Sequence, residues 1–541
     1  MNFQMLFALG GGLGLFLYGM NMMGDGLEKA AGSRMKRLLE ILTTNRLMGV
    51  LVGLIVTAII QSSSASTVMV VGFVNAGLMN LSQATGVILG ANIGTTITAQ
   101  LIALNLTDYA PIAIFVGVAF ILFAKKRYIR HIGEILAGFG ILFLGMDFMS
   151  KAMVPLRDDP TFQKLMTQIS NPILGVLAGA IFTAIIQSSS ASIGILQALA
   201  MQGLVDMNTG IFILFGMNIG TCVTAMLASI GTGVNARRAA VIHLIFNIIT
   251  TSLFIILITA GLPFVNWMQN LTPGNVVKQI ANSHTAFNVF GTVITLPVAG
   301  YLAFLAKKII PGEERAPDEK HLEFLDKRIL ETPTIAVAQI VNEVERMGDL
   351  ARTNLSVAMD MVMTGDIGNI SDVIRREEVI NYLNREITDY MVMTNSLDIP
   401  ERDRKLLSGL FHVVNDIERI GDHSENLVEY AQYLVEHNLT LSDMAIEEMN
   451  EMKNKVLAIV DDALVAMKNM DIELAKSISR QEDAIDALEH AMRENHIERL
   501  NKQECTPGAG VIFLDVINNL ERIADHADNI SKFVMDKHKK K

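Results

Sequence analysis

Apolar residues fall in long stretches over the first 310 positions and in short periodic steps over the rest. In the first part they occupy about 3–23, 47–75, 84–104 and 111–124. They continue at about 133–150, 171–200, 209–230 and 237–260, with one more at about 284–306. A helix that crosses a bilayer needs ~20 mostly apolar residues, so most of these stretches predict membrane helices. The stretches at 47–75 and 171–200 are each interrupted midway by QSSS, at Gln61–Ser64 and Gln187–Ser190. We read them as helical hairpins that enter and leave the membrane on one side. Beyond residue 333, apolar residues recur at helical spacing among dense charge, the pattern of soluble helical bundles. The expected fold is all-α: a polytopic membrane domain with re-entrant helical hairpins, then a soluble domain of two three-helix bundles.

The membrane part repeats itself. Ile55–Ser66 reads IVTAIIQSSSAS and Ile181–Ser192 reads IFTAIIQSSSAS, eleven of twelve positions alike at an offset of 126. The same offset aligns Gly90–Thr96 (GANIGTT) with Gly216–Cys222 (GMNIGTC), and Gly14, Asn45, Gly49 and Gly53 with Gly140, Asn171, Gly175 and Gly179. Repeat 1 covers about 5–130 and repeat 2 about 131–256. The helix at about 284–306 stands outside both. Three crossings per repeat are an odd number, which makes the repeats inverted relative to each other.

Charge fixes the domain boundary. Residues 1–310 balance at +8 and the remainder at −19, two compositions that suit two solvents. The Pro-containing run PGEERAP, Pro311–Pro317, begins a linker read as 311–332, and 333–541 forms the second domain. Basic clusters at Lys29/Arg34/Lys36/Arg37, Lys125/Lys126/Arg127/Arg130, Arg237/Arg238 and Lys307/Lys308 all fall on one side of this layout. By the positive-inside rule that side is the cytoplasm. The expected protein is a multi-pass plasma (inner) membrane protein surrounded by lipid, with its N-terminus outside and its C-terminal domain cytoplasmic. The apolar start resembles a signal peptide, but its pattern recurs at 138–149, so it is read as a mature helix. Cys222 and Cys505 lie in different domains and predict no disulfide. No nucleophile–base constellation or phosphate-binding P-loop argues for an enzyme, and nothing argues for nucleic acid as a partner.

Four consecutive polar side chains inside hydrocarbon need partners. One reading of Gln61, Ser62, Ser63 and Ser64, and of Gln187, Ser188, Ser189 and Ser190, is close packing of small residues. The duplication at matched positions favours a binding site at the repeat interface. No Lys or Arg occurs between Leu47 and Ala124 or between Asn171 and Ala236. An anion held there must rest on hydroxyls, backbone N–H groups and helix N-termini, with co-bound cations to neutralise it. The NIGT segments add Asn92 and Thr95, and Asn218 and Thr221. They suit either ligation or a glycine-rich packing seam. His243 and His284 each begin H-x-x-F-N, and each is either satisfied by a neighbouring helix or proton-sensing.

Paired QSSS motifs in inverted repeats resemble the type II sodium–phosphate cotransporter family, bacterial branch, over about residues 1–306. The resemblance implies sodium ions as coupling ions, inorganic phosphate as substrate and the hairpin tips as the site. The alternatives are a membrane-anchored regulatory protein of phosphate homeostasis, or a transporter or channel for a related oxyanion such as sulfate.

The C-terminal domain repeats as well. ERIGDHSEN at Glu418–Asn426 recurs as ERIADHADN at Glu521–Asn529, with a shorter relative ERMGD at Glu345–Asp349. Units of about 333–436 and 443–535 each fit three helices. E-x-x-x-D puts two carboxylates on one helix face, either solvated and Arg-paired or able to ligate a hard cation. The doubled motif resembles the PhoU family. That resemblance implies a regulatory role in phosphate homeostasis and homo-oligomer formation through this domain. It also implies a divalent or iron-type metal cluster at Glu345, Asp349, Glu418, Asp422, Glu521 and Asp525. Glu451–Val456 reads EMKNKV, so the second unit's first helix lacks the motif.

Overall fold

The computed structural model describes residues 3–31, 45–312 and 320–539, with side chains to Asp536. Helix is the regular structure throughout these residues. The chain divides into two compact units, one formed by Met1–Arg315 with Asp326–Thr332, the other by Ala316–Leu325 with Pro333–Lys541. The segment read as a linker, 311–332, is therefore not only a connector. Its last seven residues belong to the first unit, where Lys327–Glu331 forms a 3₁₀ helix. Arg34, Lys36 and Arg37 of the first basic cluster, and Glu313–Pro317 of the proline-rich run, lie outside the described residues.

Five helices of the first unit are long and apolar enough to cross a membrane among the described residues: Phe3–Ala31, Leu81–Ala103, Arg127–Asp158, Met207–Ala228 and Val234–Thr259. Two expected crossings differ. The stretch at 111–124 folds as Ala110–Phe123, ~21 Å of helix, short of the ~30 Å hydrocarbon core. The stretch at 284–306 is not one helix but Val276–Thr295 and Ala299–Ile309, bent by 85°. Pro297 sits in the break; it lacks an N–H donor and its ring clashes with the preceding turn.

Each QSSS interrupts a pair of short helices. Arg46–Ile60 precedes Gln61 and Ser63–Asn75 follows Ser62. In the second repeat, Pro172–Ile186 and Ser189–Met201 flank Gln187 and Ser188. Glycine sets how closely the outer arms pack. A Cβ on Gly53 would fall on the Val87 carbonyl, and one on Gly90 on that of Val50. At the offset of 126, Gly179 meets Ile213 and Gly216 meets Val176 in the same way. The helices Phe3–Ala31 and Arg127–Met153 also touch backbone to backbone, Gly12 against Gly145 and Gly19 against Gly138. Along this seam one residue number rises as the other falls, so the two helices run antiparallel.

The second unit has six long helices: Pro333–Thr364, Ile370–Asn395, Glu401–Glu436, Asp443–Asn469, Ile472–Asn501 and Pro507–Lys539. Buried Ile340, Val344, Met347, Leu355, Ile417 and Ile420 fill the first three, and buried Val456, Ile459, Ile478, Ile485, Val516 and Ile523 the second three. The two sets are joined by a reciprocal pair of contacts. His423 Nδ1 lies 2.8 Å from Asn519 Oδ1, and His526 Nδ1 lies 2.9 Å from Asp416 Oδ1. Residues 416 and 519 are separated by 103, as are 423 and 526, so each motif reaches across to the other's helix.

Candidate functional site

The two interrupted helix pairs meet tip to tip. Gln61 and Gln187 close their helices in the left-handed conformation, at φ 59° and 58°. A non-glycine residue adopts this rarely, and it marks a backbone held by its surroundings. Ser62 and Ser188 then cap the next helices, accepting from the N–H groups of Ala65 and Ala191. Such a cap is worth about 1 kcal/mol. The first turns of both following helices point their N–H groups, and the positive end of the helix dipole, into one region. There Ser63 Oγ and Ser189 Oγ stand 3.1 Å apart. These two serines are the same residue of the two repeats, at the offset of 126.

Beside the tips is a cavity of about 380 Å³. Gln61, Ser62, Ser64, Gln187, Ser188, Ser189 and Ser190 line it, together with Asn21, Asp25 and Glu28 of the first helix and Glu331 of the 3₁₀ segment. Among the described residues, no Lys or Arg is in its wall. The tips themselves are unequal. Gln61 is buried; its Oε1 accepts from Thr98 Oγ1 at 3.0 Å, and its carbonyl accepts from Ser190 Oγ at 3.3 Å. Gln187 is exposed to the cavity, and Thr224, the counterpart of Thr98, donates instead to the Thr221 carbonyl at 2.9 Å.

The NIGT residues divide between the tips and the packing. Thr95 Oγ1 reaches Ser189 Oγ at 3.5 Å. Asn92 does not line the cavity. Its Nδ2 donates to the Ile88 carbonyl, and its Oδ1 lies 3.3 Å from both His243 Nε2 and Asn247 Nδ2. Asn218 repeats this with the Leu214 carbonyl, His284 and Asn288, again at 3.3 Å to each of the last two. Thr221 donates to the Met217 carbonyl. The two H-x-x-F-N motifs are thus clasps on the two NIGT asparagines, one per repeat.

Sequence reading did not single out Asn21, Asp25, Glu28, Thr98 or Glu331. The first three carried a signal: polar residues at i, i+4 and i+7 fall on one face of an otherwise apolar helix. Near Lys29 they look like charges at a membrane surface. Glu331 carried none.

In the second unit the expected metal cluster is not assembled. Among the described residues, no three His, Cys, Asp or Glu side chains gather so as to hold a metal ion. Neighbouring cations and the bundle contact take up the candidate groups. Lys468 Nζ is 2.7 Å from Glu345, and Arg419 pairs with Asp422 at 3.1 Å and Glu418 at 3.7 Å. His423 and His526 serve the contact between bundles. Burial, with Glu345 and Asp461 beside it, raises the Asp349 carboxyl. Burial also raises Glu418, next to Asp422, and Glu521, next to Asp525. Glu482 is pushed up to about 7 by burial and by its hydrogen bond to Asp525.

Comparison with known proteins agrees in both halves. Residues 15–151 and 154–295 match the model of the Na+/Pi-cotransporter family, and residues 344–431 and 449–534 match the PhoU domain. A protein of Escherichia coli (strain K12) named "Putative inorganic phosphate export protein YjbB" is 25% identical over 495 residues, 90% of each chain. The uncharacterized protein YqeW of Bacillus subtilis is 32% identical over 300 residues, 55% of this chain and 96% of that one. A PhoU homologue of Thermotoga maritima is 27% identical over 196 residues, 36% of this chain and 83% of that one. The crystal structure of PhoU from Pseudomonas aeruginosa aligns with 38% of this chain and 98% of its own, at 22% identity and a TM-score of 0.36. Duplicated family matches, apolar helices and a helical C-terminal unit together make this chain a member of the Na+/Pi-cotransporter family that carries PhoU domains at its C-terminal side.

Proposed function

We propose that the chain moves inorganic phosphate together with sodium ions across the plasma membrane through the paired QSSS tips. The observation that carries this reading is the 3.1 Å contact of Ser63 with Ser189 between two converging helix N-termini. Converging N-termini and hydroxyls favour an anion, and the carbonyls freed where a helix breaks suit a small alkali cation. The described wall holds no Lys or Arg, which favours a co-bound cation as the partner of the anion's charge. The family model and the phosphate named in the relative's title point to the same substrate.

The repeats are read as inverted, with the tips as re-entrant hairpins. The antiparallel glycine seam supports this, as does the shortness of the tip helices, at 15 and 13 residues each. The cavity is lined by the later half of the first helix, which leads into the basic cluster beginning at Lys29. Under the positive-inside rule the cavity faces the cytoplasm, the N-terminus lies outside, and the PhoU domains are cytoplasmic regulators of a transporter. The buried Gln61 and exposed Gln187 are one pose of a two-pose cycle in which the tips exchange roles.

The test is radiolabelled phosphate flux in vesicles containing the full chain, with sodium or potassium outside. Flux is expected with sodium only. Replacing Ser62–Ser64 or Ser188–Ser190 by Ala should lower it by about tenfold or more at normal membrane expression, since each hydrogen bond to a charged group is worth roughly 1.5–3 kcal/mol. Near-normal flux after either replacement refutes the shared site.

A further inference from the structure

One part of the cavity wall comes from outside both repeats. Asp326–Thr332 belongs to the membrane unit, yet the chain on either side of it, Ala316–Leu325 and Pro333 onward, belongs to the other unit. The segment is seated by specific contacts. Asp326 is buried and accepts from Asn75 Nδ2 at 2.7 Å, while Asn75 Oδ1 accepts from the Gly233 N–H at 2.8 Å. Arg328 pairs with Asp326 at 2.9 Å and donates to the carbonyls of Ala228 at 2.6 Å and Ile230 at 3.3 Å. Ile329 is fully buried. Gly72 supplies the room: a Cβ there would lie 3.2 Å from Arg328 Cβ and 3.3 Å from Ile329 Cγ1. The receiving surface exists in one repeat only, because Ala198 and Met201 stand where Gly72 and Asn75 stand in the first.

The far end of this seated turn carries Glu331, exposed, into the cavity wall. The other polar groups there, among the described residues, are Asn21, the QSSS amides and hydroxyls, and the acids Asp25 and Glu28. A further carboxylate beside two helix N-termini opposes an incoming phosphate by direct repulsion and by competition for the same positive ends.

We propose that Asp326–Thr332 is an autoinhibitory strap: seated, it holds the Glu331 carboxylate in the transport cavity and disfavours phosphate, and movement of the PhoU-bearing unit withdraws it. This deepens the transport reading and rests on it for its ligand. Both ends of the strap continue into the PhoU-bearing unit, so a rearrangement there pulls on it without a separate contact. The two states differ in the seating contacts and in the cavity's charge, which is the differential that a regulatory equilibrium needs.

The test uses the full chain in vesicles and two readouts. The first is the half-saturating phosphate concentration for sodium-dependent flux, compared among the unaltered chain, Glu331→Gln and Gly72→Leu. Glu331→Gln removes the charge; Gly72→Leu unseats the strap by volume and changes no residue that lines the cavity. Both should lower half-saturation by about three- to tenfold, the scale of one screened charge–charge contact, and the double variant should gain little more than either. The second readout needs no transport. With Cys222 and Cys505 replaced by Ala and Gln187→Cys introduced, a membrane-permeant maleimide should label the new thiol several-fold faster when Gly72→Leu is added. If that variant does not fold, Arg328→Ala, which removes hydrogen bonds to two carbonyls, takes its place. Faster labelling, together with no sodium-dependent phosphate flux in the chain that keeps Gln187, supports the strap and refutes the transport reading. Labelling and half-saturation unchanged in all variants overturn the strap. A raised half-saturation in Glu331→Gln, or new sulfate flux, also overturns it and makes Glu331 a ligand of the transported ions.

Discussion

One buried carboxyl group contributes strongly to the pH dependence of the soluble unit's stability. Glu377 is only 2% exposed and lies under Gly421, where a Cβ would meet its two oxygens at 2.6 and 2.9 Å. Burial, then Asp422, Glu425 and Glu418 on the facing helix, push it up to about 8 from an ordinary 4.5. A folded-state value above the unfolded one means that the folded protein holds the proton longer. The stabilising contribution is fully present below 4.5 and is lost as pH rises through about 8. In chelator-treated protein, urea unfolding of this unit should show stability falling over that range. Glu377→Gln should reduce the slope, with Glu482 keeping its share up to about 7, and be the more stable form at the upper end; an unchanged slope would assign the dependence to another group. The buried acid was legible in principle. Val373, Glu377 and Ile380 follow helical spacing, and all three are buried, so Glu377 occupies an apolar-stripe position. Its neighbour Glu378 instead pairs at the surface with Lys320 at 2.8 Å. Two adjacent glutamates look alike until one counts along the turn.

At the scale of elements, glycine decides which helices touch. Gly53, Gly90, Gly179 and Gly216 each face a carbonyl of the opposing helix with no room for a methyl group, whereas Gly10 and Gly11 have nothing within 4 Å. Alanine at any of the first four should cost about 1–3 kcal/mol or more through overpacking. Alanine at Gly10 or Gly11 should be neutral or gain up to about 1 kcal/mol from helix propensity. Detergent-solubilised thermal unfolding, or the folded fraction in membranes, would rank them; equal losses at all six positions would contradict the seam. The QSSS breaks were readable because polar side chains in hydrocarbon are conspicuous at any depth. The glycine seam at NIGT was one of two open readings, and His243 and His284 stand 3.3 Å from Asn92 and Asn218. A pairing between helices 151 or 66 residues apart leaves no trace in local spacing. Pro297, by contrast, announced a break that the apolar stretch around it concealed.

For the whole molecule, the charge balance changes near Pro311, but the return of seven residues into the first unit was invisible, since Asp326, Arg328 and Glu331 look like ordinary linker charges. That return makes the point of truncation matter. A chain ending after Lys308 loses the strap together with the PhoU domains; one ending after Thr332 keeps it. If both fold, the shorter chain should show the lower half-saturation for sodium-dependent phosphate flux in vesicles, by about the factor expected for Glu331→Gln. Identical values would separate the strap from phosphate entry. The contact of Phe3–Ala31 with Arg127–Met153 bears on how such a molecule came to exist. Gly12 and Gly19 meet Gly145 and Gly138, which are their own copies in exchanged order. An interface that answers to itself in this way is what a symmetric dimer possesses. Two molecules of one half-sequence, inserted in opposite senses, would satisfy it without any change of residue. Along this seam the two halves of the protein therefore pack as two separate copies of one half would, and the chain that joins them adds no contact that the seam requires.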